Sequence, residues 1–472
     1  MNLNVLRANK LDKKCTIIFE QGTIILENPP SSLLAESNDF KWDKRTKQWR
    51  APARSYRPLV EKLTEQKVKF VDKARAYKCL NLTLSNPITP RDHQATALKE
   101  WCDASFEGTV CIPTGGGKTI LAVLALNTLQ RSCLVVVPTI DLMHQWYEVL
   151  SKFFGIQIGL LGGGYKNIFD ITVSTYDSAF LNIDHIGDKF AFLVFDECHH
   201  LPGEQYKKIA ICSIAPFRLG LSATVERQDG KQSVIFDLVG PLVYEGKIKS
   251  MIGHGLSPYD TKTIEVSMTP EEKDEYDEAR KVYTSFLYMN KIKLSKDRGW
   301  IDFISIASRS KAGKKAMQAY RKQKILAQAS SNKIIEIWNI LNDHPGQRVI
   351  IFTNENDMAY NIGHQFFLPV LTHKTKVKER KMMLDLFRKG EIKILVTSKV
   401  LNEGVDVPEA SVAIIVSGSG AVREHVQRLG RILRDQKGKR AVLYELISKG
   451  TSEKYVNQRR REHDAYQGSS SI

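Results

Sequence analysis

The sequence has 472 residues, a net charge of +17 and 42% hydrophobic residues, which predicts a folded protein of about three domains. A positive excess of this size favours a polyanionic partner, most simply nucleic acid, and predicts binding that weakens with salt. No apolar run approaches the ~20 residues of a membrane span, and the N-terminus lacks the hydrophobic region of a signal peptide. The seven cysteines include no C-x-x-C pair, which argues against disulfides and zinc fingers and favours a cytoplasmic protein.

The N-terminal part of the sequence predicts a small α/β module. Two β-rich runs, Cys15–Phe19 and Thr23–Leu26, form a predicted hairpin, and Tyr56–Gln66 has the pattern of a helix. Between them, Trp42 and Trp49 stand among five basic residues. Aromatic and basic side chains in this arrangement suit a surface that stacks on and grips nucleic acid, and they suit an aromatic pair over a small core equally well.

A glycine-rich loop follows, between a predicted strand that ends near Ile112 and a predicted helix. Its three glycines let backbone N–H groups close around a phosphate at the positive end of that helix. The next residues, Lys118 and Thr119, have the chemistry to reach the β- and γ-phosphates and to hold Mg²⁺. Upstream, Arg91 and Gln94 are placed to bracket an adenine. The order of strand, loop and helix predicts a nucleotide site.

Apolar strands alternate with helices around this loop, which is the pattern of a parallel sheet covered by helices. One of these strands, Phe192–Asp196, ends at two carboxylates. Asp196 would hold Mg²⁺, and Glu197 would orient the water that attacks the terminal phosphate. The next strand ends at Ser222–Thr224, whose hydroxyls are expected to hydrogen-bond to the acidic strand end. The Cys198-His199-His200 segment after Glu197 makes a poor metal site, because adjacent ligands do not form a tetrahedron.

The alternation stops between Ile264 and Leu326, where the sequence predicts charged helices with a basic face and no buried strand. A second alternating block begins at Arg348, so the chain is predicted to hold two α/β lobes with the nucleotide in the cleft between them. In this block Arg431 and Arg434 lie on one face of a predicted helix. A planar guanidinium suits the charge spread over a transferring phosphoryl group.

Taken in order, these residues resemble the motifs of a superfamily 2 helicase, and most closely those of the archaeal-type XPB helicases. The motifs are Arg91…Gln94, Pro113–Thr119, Pro138-Thr139, Ser174-Thr175, Asp196–His199, Ser222–Thr224, Thr353, Thr397…Asp406 and Gln427–Arg434. The resemblance implies two RecA-like parallel-sheet lobes, a small α/β N-terminal domain like a damage-recognition domain, and a helical thumb-like insertion. It covers nearly the whole chain and predicts domains at residues 1–82, 83–245 and 246–472, with the insertion at about 265–326.

The resemblance also implies an activity and roles for single residues. The activity is ATP-driven 3′→5′ translocation and opening of duplex or forked DNA, in repair or transcription, with a nuclease as a possible partner. Separately, the sequence has no feature that indicates oligomerisation, so we expect a monomer. Catalysis falls to Lys118, Asp196, Glu197, Arg431 and Arg434. Contact with ATP and Mg²⁺ falls to Arg91, Gln94, Pro113, Thr114, Gly115, Gly116, Gly117, Lys118, Thr119 and Asp406, with Thr119 and Asp196 as the Mg²⁺ ligands. By the same resemblance, the residues near the DNA backbone are Pro138, Thr139, Ser174, Thr175, Thr353 and Thr397, and Arg227 and Asp229 belong to a loop like the family's Arg-Glu-Asp loop. Trp42 and Trp49 are added to these predicted DNA contacts from their aromatic and basic surroundings.

Three positions depart from the family pattern. Gln228 replaces the glutamate of an Arg-Glu-Asp loop, which removes a negative charge from any strand-separating wedge. His93 stands where a tyrosine is more usual, and Ile112 stands where a small residue or leucine is more usual. None of these positions supplies a catalytic group.

Three other functions stay open from the sequence. One is a duplex translocase that separates no strands. Another is an RNA helicase. The acidic motif argues against this function, because it does not read Asp-Glu-Ala-Asp. The third is a basic platform that recruits a nuclease without hydrolysing ATP.

Overall fold

The computed structural model describes residues 14–35, 39–113, 115–224, 230, 232–246, 259–294, 298–398, 410–417 and 441–454. The described residues divide into two compact units, which meet in sequence at residue 247. The first unit contains two sheets and the second contains one. No helix of the described residues is both long enough and apolar enough to cross a membrane.

The N-terminal module is a five-stranded sheet with two helices. Its elements are β1 (Cys15–Glu20), β2 (Thr23–Glu27), α1 (Ser31–Ala35), β3 (Lys41–Asp43), β4 (Gln48–Pro52), α2 (Tyr56–Glu65) and β5 (Phe70–Asp72). The strand order is β3-β4-β2-β1-β5, with β5 parallel to β1 and the other neighbours antiparallel. The predicted hairpin and helix are therefore confirmed. A second hairpin, β3–β4, was not predicted because its three-residue strand is mostly exposed and carries no apolar alternation.

A larger sheet of eight strands follows in the first unit. Its elements are α3 (Asp92–Asp103), β6 (Glu107–Cys111), α4 (Lys118–Leu129), β7 (Cys133–Val137), α5 (Ile140–Phe154), β8 (Gly159–Gly162), β9 (Tyr165–Asn167), β10 (Ile171–Thr175), α6 (Tyr176–Ile186), β11 (Phe192–Asp196), α7 (Lys207–Ile211), β12 (Phe217–Ser222), α8 (Gln232–Val239) and β13 (Leu242–Glu245). The order is β13-β6-β12-β11-β7-β10-β8-β9, and every neighbouring pair is parallel except β8 and β9.

The central strands of this sheet are shielded from solvent, and this restricts where charged side chains can lie. Strands β7, β10 and β11 are buried at every position. In β10 the hydroxyls of Thr172 and Ser174 donate to backbone carbonyl oxygens. The one charged side chain of these three strands is Asp196, at the end of β11. Strand β6 leads into the glycine loop, β11 into Glu197 and β12 into Ala223, and these three are neighbours in the sheet. Because they are parallel, their carboxyl ends share one edge.

The N-terminal module is packed onto this lobe through α2 and the turn before it. Arg57 donates from Nη1 to the carbonyl oxygens of Pro216 at 2.7 Å and Ser105 at 3.1 Å. Arg54 pairs with Asp237 on α8 at 2.9 Å. Ile214 of the lobe is buried in the core of the module. These contacts fix the module to the edge of the lobe.

The second unit is a parallel sheet with a helical insertion. Its elements are β14 (Tyr259–Val266), α9 (Pro270–Met289), α10 (Gly299–Ser308), α11 (Lys311–Gln328), α12 (Ser331–Asp343), β15 (Val349–Phe352), α13 (Asn356–Phe366), β16 (Val370–Leu371), α14 (Val377–Lys389), β17 (Ile394–Thr397), β18 (Val412–Ile415) and β19 (Ala441–Ser448). The order is β14-β19-β18-β15-β17-β16, with all neighbouring pairs parallel. The second predicted α/β block is thus confirmed.

One secondary-structure prediction in this unit is wrong. Ile264–Val266 belongs to β14, whereas the sequence predicted helices from Ile264 onwards. Among the strands that the structure describes, β14 lies at the edge of the sheet with β19 as its one neighbour, so charged residues occupy its exposed positions. Because of these charged residues, the sequence pattern placed the end of the strand in the charged helical stretch that follows it.

The insertion consists of α9, α10 and α11, which pack on each other around a small aromatic core that contains Tyr283, Phe286 and Phe303. Helix α9 begins with a capping box, in which Thr269 accepts a hydrogen bond from the N–H of Glu272 and Glu272 accepts one from the N–H of Thr269. The Glu272 carboxylate also accepts hydrogen bonds from Ser330 and Ser331 at the start of α12. The base of the insertion is therefore hydrogen-bonded to the start of α12.

Candidate nucleotide site and nucleic-acid interface

The first turn of α3 is hydrogen-bonded to the glycine loop. His93 donates from Nε2 to the carbonyl oxygen of Gly116 at 2.8 Å, and Gln94 donates from Nε2 to the carbonyl oxygen of Gly117 at 3.1 Å. The other end of the Gln94 amide accepts a hydrogen bond from the N–H of Arg91 at 3.0 Å. The N–H of Gly116 donates to the carbonyl oxygen of Pro113 at 3.0 Å, so the loop is held on both sides beside the start of α4, where a helix N-terminus suits a phosphate.

Lys118, the first residue of α4, crosses the loop towards the acidic strand end. Its Nζ donates to the carbonyl oxygen of Ile112 at 3.4 Å and lies 3.7 Å from Oε1 of Glu197. Both side chains are 11% exposed, so the interaction is mostly shielded from solvent. A loop that ends on a buried lysine, opposite a buried carboxylate, is suited to a strongly negative ligand such as a triphosphate.

Asp196 ends β11, and both of its carboxylate oxygens accept hydrogen bonds. Oδ1 accepts one from the N–H of Glu197 at 3.0 Å, and Oδ2 accepts one from Nε1 of Trp146 at 2.8 Å. Burial, followed by the neighbouring Glu197 carboxylate, raises the pKa of Asp196 above its ordinary value, whereas Lys118 and the Trp146 hydrogen bond oppose the rise. A bound divalent cation would strongly favour the ionised form.

Glu197 has a backbone φ of +48°, in the left-handed region that non-glycine residues seldom adopt. Strained backbone of this kind is concentrated at functional sites, where it aims a side chain. His199 lies beneath it, with Nδ1 at 3.4 Å from Oε2 of Glu197 and 3.2 Å from Oγ of Ser222. Ser222 in turn donates to the carbonyl oxygen of Thr224 at 2.5 Å. The predicted link between the Ser222–Thr224 turn and the acidic strand end thus runs through His199.

The residues present fit a nucleotide and Mg²⁺. A side chain at Gly117 would displace the Gln94 amide that holds the loop, because an added Cβ would stand 2.3 Å from Nε2 of Gln94. The carboxylates of Asp196 and Glu197 offer the oxygen ligands that Mg²⁺ prefers. Thr119, on the first turn of α4, is partly exposed. These features are those of a cradle shaped for phosphate and a hard cation.

Two of the threonines predicted to contact DNA cap helices. Thr139 accepts a hydrogen bond from the N–H of Leu142 at the start of α5, and Thr175 accepts one from the N–H of Ser178 at the start of α6. Both helices leave the same edge of the sheet as the glycine loop, because β7 and β10 are parallel to β11. Helix N-termini present N–H groups that suit DNA phosphates. Pro138 precedes the first cap and is partly exposed.

The other predicted contacts of the strand ends are buried. The hydroxyls of Ser174, Thr353 and Thr397 donate to backbone carbonyl oxygens, and all three residues are 0% exposed. These side chains shape the strand ends, so any contact with DNA would come from the backbone around them. Their role in DNA binding stays a prediction.

The two tryptophans of the N-terminal module face each other across β3 and β4, with ring centroids 5.4 Å apart in an edge-to-face arrangement. Trp49 is partly buried against the core of the module, whereas Trp42 is 47% exposed. The structure therefore combines the two interpretations left open by the sequence. Trp49 supports the core, and Trp42 presents an aromatic surface whose contact with DNA remains a prediction.

Several predicted site residues lie outside the described residues, and their roles stay predictions. They are Thr114, Arg227, Gln228, Asp229, Asp406, Arg431 and Arg434.

Four residues beside the site were not given these roles from the sequence. They are His93, Trp146, Tyr176 and His199. A buried aromatic residue on a helix has the pattern of ordinary core, so nothing distinguished Trp146 or Tyr176 before their polar atoms were located.

A parallel sheet with a glycine loop and an acidic strand end at one edge is the arrangement of a P-loop nucleotide-binding protein. Three family models match the chain. They are the type III restriction enzyme res subunit at residues 87–227, the helicase conserved C-terminal domain at residues 332–436, and the xeroderma pigmentosum group B helicase damage recognition domain at residues 17–74. The Pyrococcus furiosus Hef helicase domain shares the fold, with a TM-score of 0.50 and 17% identity over 78% of this chain and 98% of that one.

Relatives of known name identify the family within this class. The chain is 39% identical to the DNA 3′-5′ translocase XPB2 of Sulfurisphaera tokodaii over 90% of its own length and 96% of the relative's. It is 28% identical to the DNA 3′-5′ helicase XPB of Mycobacterium tuberculosis, where the match covers 79% of this chain and 63% of the relative. The chain belongs to the XPB family of superfamily 2 helicases, whose lobes are RecA-like.

Proposed function

We propose that this protein is an ATP-dependent DNA motor that moves 3′→5′ and opens duplex DNA in repair or transcription. The observation that carries the proposal is the meeting of Lys118, Glu197 and Asp196 at the glycine loop. Relatives named as DNA 3′-5′ translocases and helicases match most of the chain, which supports DNA as the substrate. A subunit of a general transcription and DNA repair factor is 24% identical over 81% of the chain.

Each residue of the nucleotide site has a separate role in ATP hydrolysis. The loop N–H groups and Lys118 bind the phosphates, while Gln94 contacts the adenine and holds the loop. Thr119 and Asp196 would hold Mg²⁺, which neutralises phosphate charge when bound. Glu197 takes the proton of the attacking water, and Nζ of Lys118 lies 3.7 Å from its Oε1. Arg431 and Arg434 are assigned to the charge that develops on the transferring phosphoryl group.

Polarity of unwinding tests the proposal. Partial duplexes with only a 3′ or only a 5′ single-stranded tail are incubated with ATP and Mg²⁺, and strand separation is followed with a fluorophore–quencher pair. We expect opening of the 3′-tailed substrate alone and no opening by Lys118→Ala. Equal opening of both substrates, or unwinding that survives in Lys118→Ala, contradicts the proposal.

A second candidate is a translocase that separates no strands. The relative that is 39% identical is named a translocase, and Gln228 removes a charge from the loop that resembles a wedge. An ATP-driven triplex-displacement assay distinguishes the two candidates. A pure translocase displaces the third strand from duplex DNA, yet leaves the strands of a fork paired.

The remaining parts of the proposal concern organisation. We place the domain boundaries near residues 82 and 245, with residues 246–472 forming the second lobe and its thumb-like insertion. We also propose a cytoplasmic monomer that works with a partner nuclease. Light scattering with and without a forked DNA tests the monomeric state, since a mass of twice 53.5 kDa in both samples contradicts it.

A further inference from the structure

Two buried aromatic side chains converge on Asp196 from different helices. Trp146 on α5 donates from Nε1 to Oδ2 of Asp196 at 2.8 Å. Tyr176, the first residue of α6, donates from its hydroxyl to the backbone oxygen of Asp196 at 3.1 Å. Trp146 is 1% exposed and Tyr176 is 2% exposed, so water does not compete for either hydrogen bond. One bond orients the carboxylate, and the other holds the backbone that carries it.

The helices that bear these aromatic residues begin at the capping threonines of the proposed DNA interface. Thr139 caps α5, and Trp146 follows it by two helical turns, or about 10 Å along the axis. Thr175 caps α6, and Tyr176 comes directly after it. A phosphate bound at either helix N-terminus would therefore be linked to Asp196 by one rigid element and one hydrogen bond.

The Trp146 hydrogen bond differs from that of another buried indole in the same lobe, because its acceptor is a carboxylate. Trp101 in the same lobe is also 1% exposed, and its Nε1 donates to the backbone oxygen of Arg218 at 2.9 Å. That bond ties α3 to a neighbouring strand and touches no charged group. The indole of Trp146 instead reaches the carboxylate that would hold Mg²⁺, and hydrogen bonds to charged groups are the stronger kind.

We propose that Trp146 and Tyr176 are positioning residues that fix Asp196 for Mg²⁺–nucleotide and couple its position to DNA bound at the first turns of α5 and α6. This inference rests on the proposed function, because it requires that the protein bind both DNA and nucleotide. It assigns the coupling within the first lobe to two named hydrogen bonds. By linkage, DNA should then tighten nucleotide binding, and nucleotide should tighten DNA binding by the same factor.

Equilibrium binding of a fluorescent ATP analogue tests the inference without turnover. The dissociation constant is measured over a series of Mg²⁺ concentrations, with and without a saturating DNA duplex, for wild type, Trp146→Phe and Tyr176→Phe. Phenylalanine keeps the ring and removes only the donor. We expect Trp146→Phe to raise the Mg²⁺ concentration for half-maximal affinity ~10-fold, as for a lost hydrogen bond to a charged group. Both variants should reduce the effect of DNA on nucleotide affinity several-fold.

Matched controls separate positioning from general loss of stability. Trp101→Phe removes a buried indole hydrogen bond away from the site, and Tyr56→Phe removes a hydroxyl of the N-terminal module that donates to Asp72 at 2.6 Å. Both controls should keep the wild-type Mg²⁺ dependence. Should Trp146→Phe fail to fold, Tyr176→Phe still tests the effect of DNA.

The outcomes distinguish the inference from the function beneath it. If Trp146→Phe and Tyr176→Phe behave like their controls while DNA still tightens nucleotide binding to wild type, the inference is overturned and the proposed function stands. If wild type binds neither DNA nor Mg²⁺–nucleotide, the proposed function fails as well.

Discussion

Glu197 combines a strained backbone with a position opposite Lys118, and both features point to the attacking water. Replacing it with glutamine keeps its shape and removes the proton acceptor. We expect Glu197→Gln to bind ATP with nearly unchanged affinity and to hydrolyse it ~10²–10⁴-fold more slowly. The measurements are steady-state turnover and equilibrium nucleotide binding. Glu100→Gln, on an exposed part of α3, is the control and should leave both values unchanged.

Gly117 is required in the glycine loop for two reasons. Its φ of +85° is left-handed, and a Cβ would clash with the Gln94 amide at 2.3 Å. We expect Gly117→Ala to weaken nucleotide binding at least ~10-fold, because the loop and Gln94 must both move by an amount that costs about 1–3 kcal/mol. Gly164→Ala is the control, since its φ is also positive, at +94°, but no heavy atom lies within 4 Å of the added Cβ. Equal binding by the two variants contradicts the cradle described for the loop.

At the residue scale, the sequence indicated the polar groups whose spacing is fixed by one short motif. Lys118 and Glu197 could be assigned because a glycine loop and an acidic strand end occur in a recognisable order. His93 and Trp146 could not be assigned, since their partners are 23 and 50 residues away in sequence. Only the folded sheet brings such partners together.

At the scale of elements, α12 anchors the insertion through a buried ion pair. Lys333 is 0% exposed and donates to Oε2 of Glu453 at 2.8 Å and to the carbonyl oxygen of Val416 at 2.9 Å. Nearby, Ser448 donates to the carbonyl oxygen of Ala327 at the end of α11. The pair thus joins β18, α12 and the turn after β19 beside the base of the insertion.

Removing the buried lysine should be costly because Glu453 would be left without its cation. We expect Lys333→Met to lower the free energy of unfolding by ~3–5 kcal/mol, measured by urea denaturation. Lys273→Met removes a partner of the exposed pair with Asp277 and should lower it by ~1 kcal/mol at most. Addition of Glu453→Gln to Lys333→Met should recover part of the loss. Equal effects of the two lysine substitutions would contradict a buried electrostatic anchor.

Whether an element could be predicted depended on its burial. The central strands β7, β10 and β11 are buried throughout and were predicted to within a residue or two. The edge strand β14 and the exposed strand β3 carry charged residues, so their sequences do not differ from those of charged helices and loops. The hydrophobic pattern shows which face of an element packs against the core. An edge element buries few side chains, so its sequence has only a weak pattern.

At the scale of the whole molecule, the net charge of +17 is the feature that the fold alone does not explain. Exposed lysines on the insertion, including Lys291, Lys293, Lys311, Lys314 and Lys315, add to this excess. Neutralisation of DNA phosphates by such groups releases counterions, so DNA binding should weaken steeply as salt rises. Both the composition and the family therefore favour a nucleic-acid-driven motor.

The most direct test is the rate of ATP hydrolysis without nucleic acid, with single-stranded DNA, with a forked duplex and with RNA, each at two salt concentrations. The account predicts low turnover without nucleic acid, strong stimulation by DNA alone, and loss of that stimulation at the higher salt concentration. Equal or greater stimulation by RNA, or no turnover on any substrate, would contradict it.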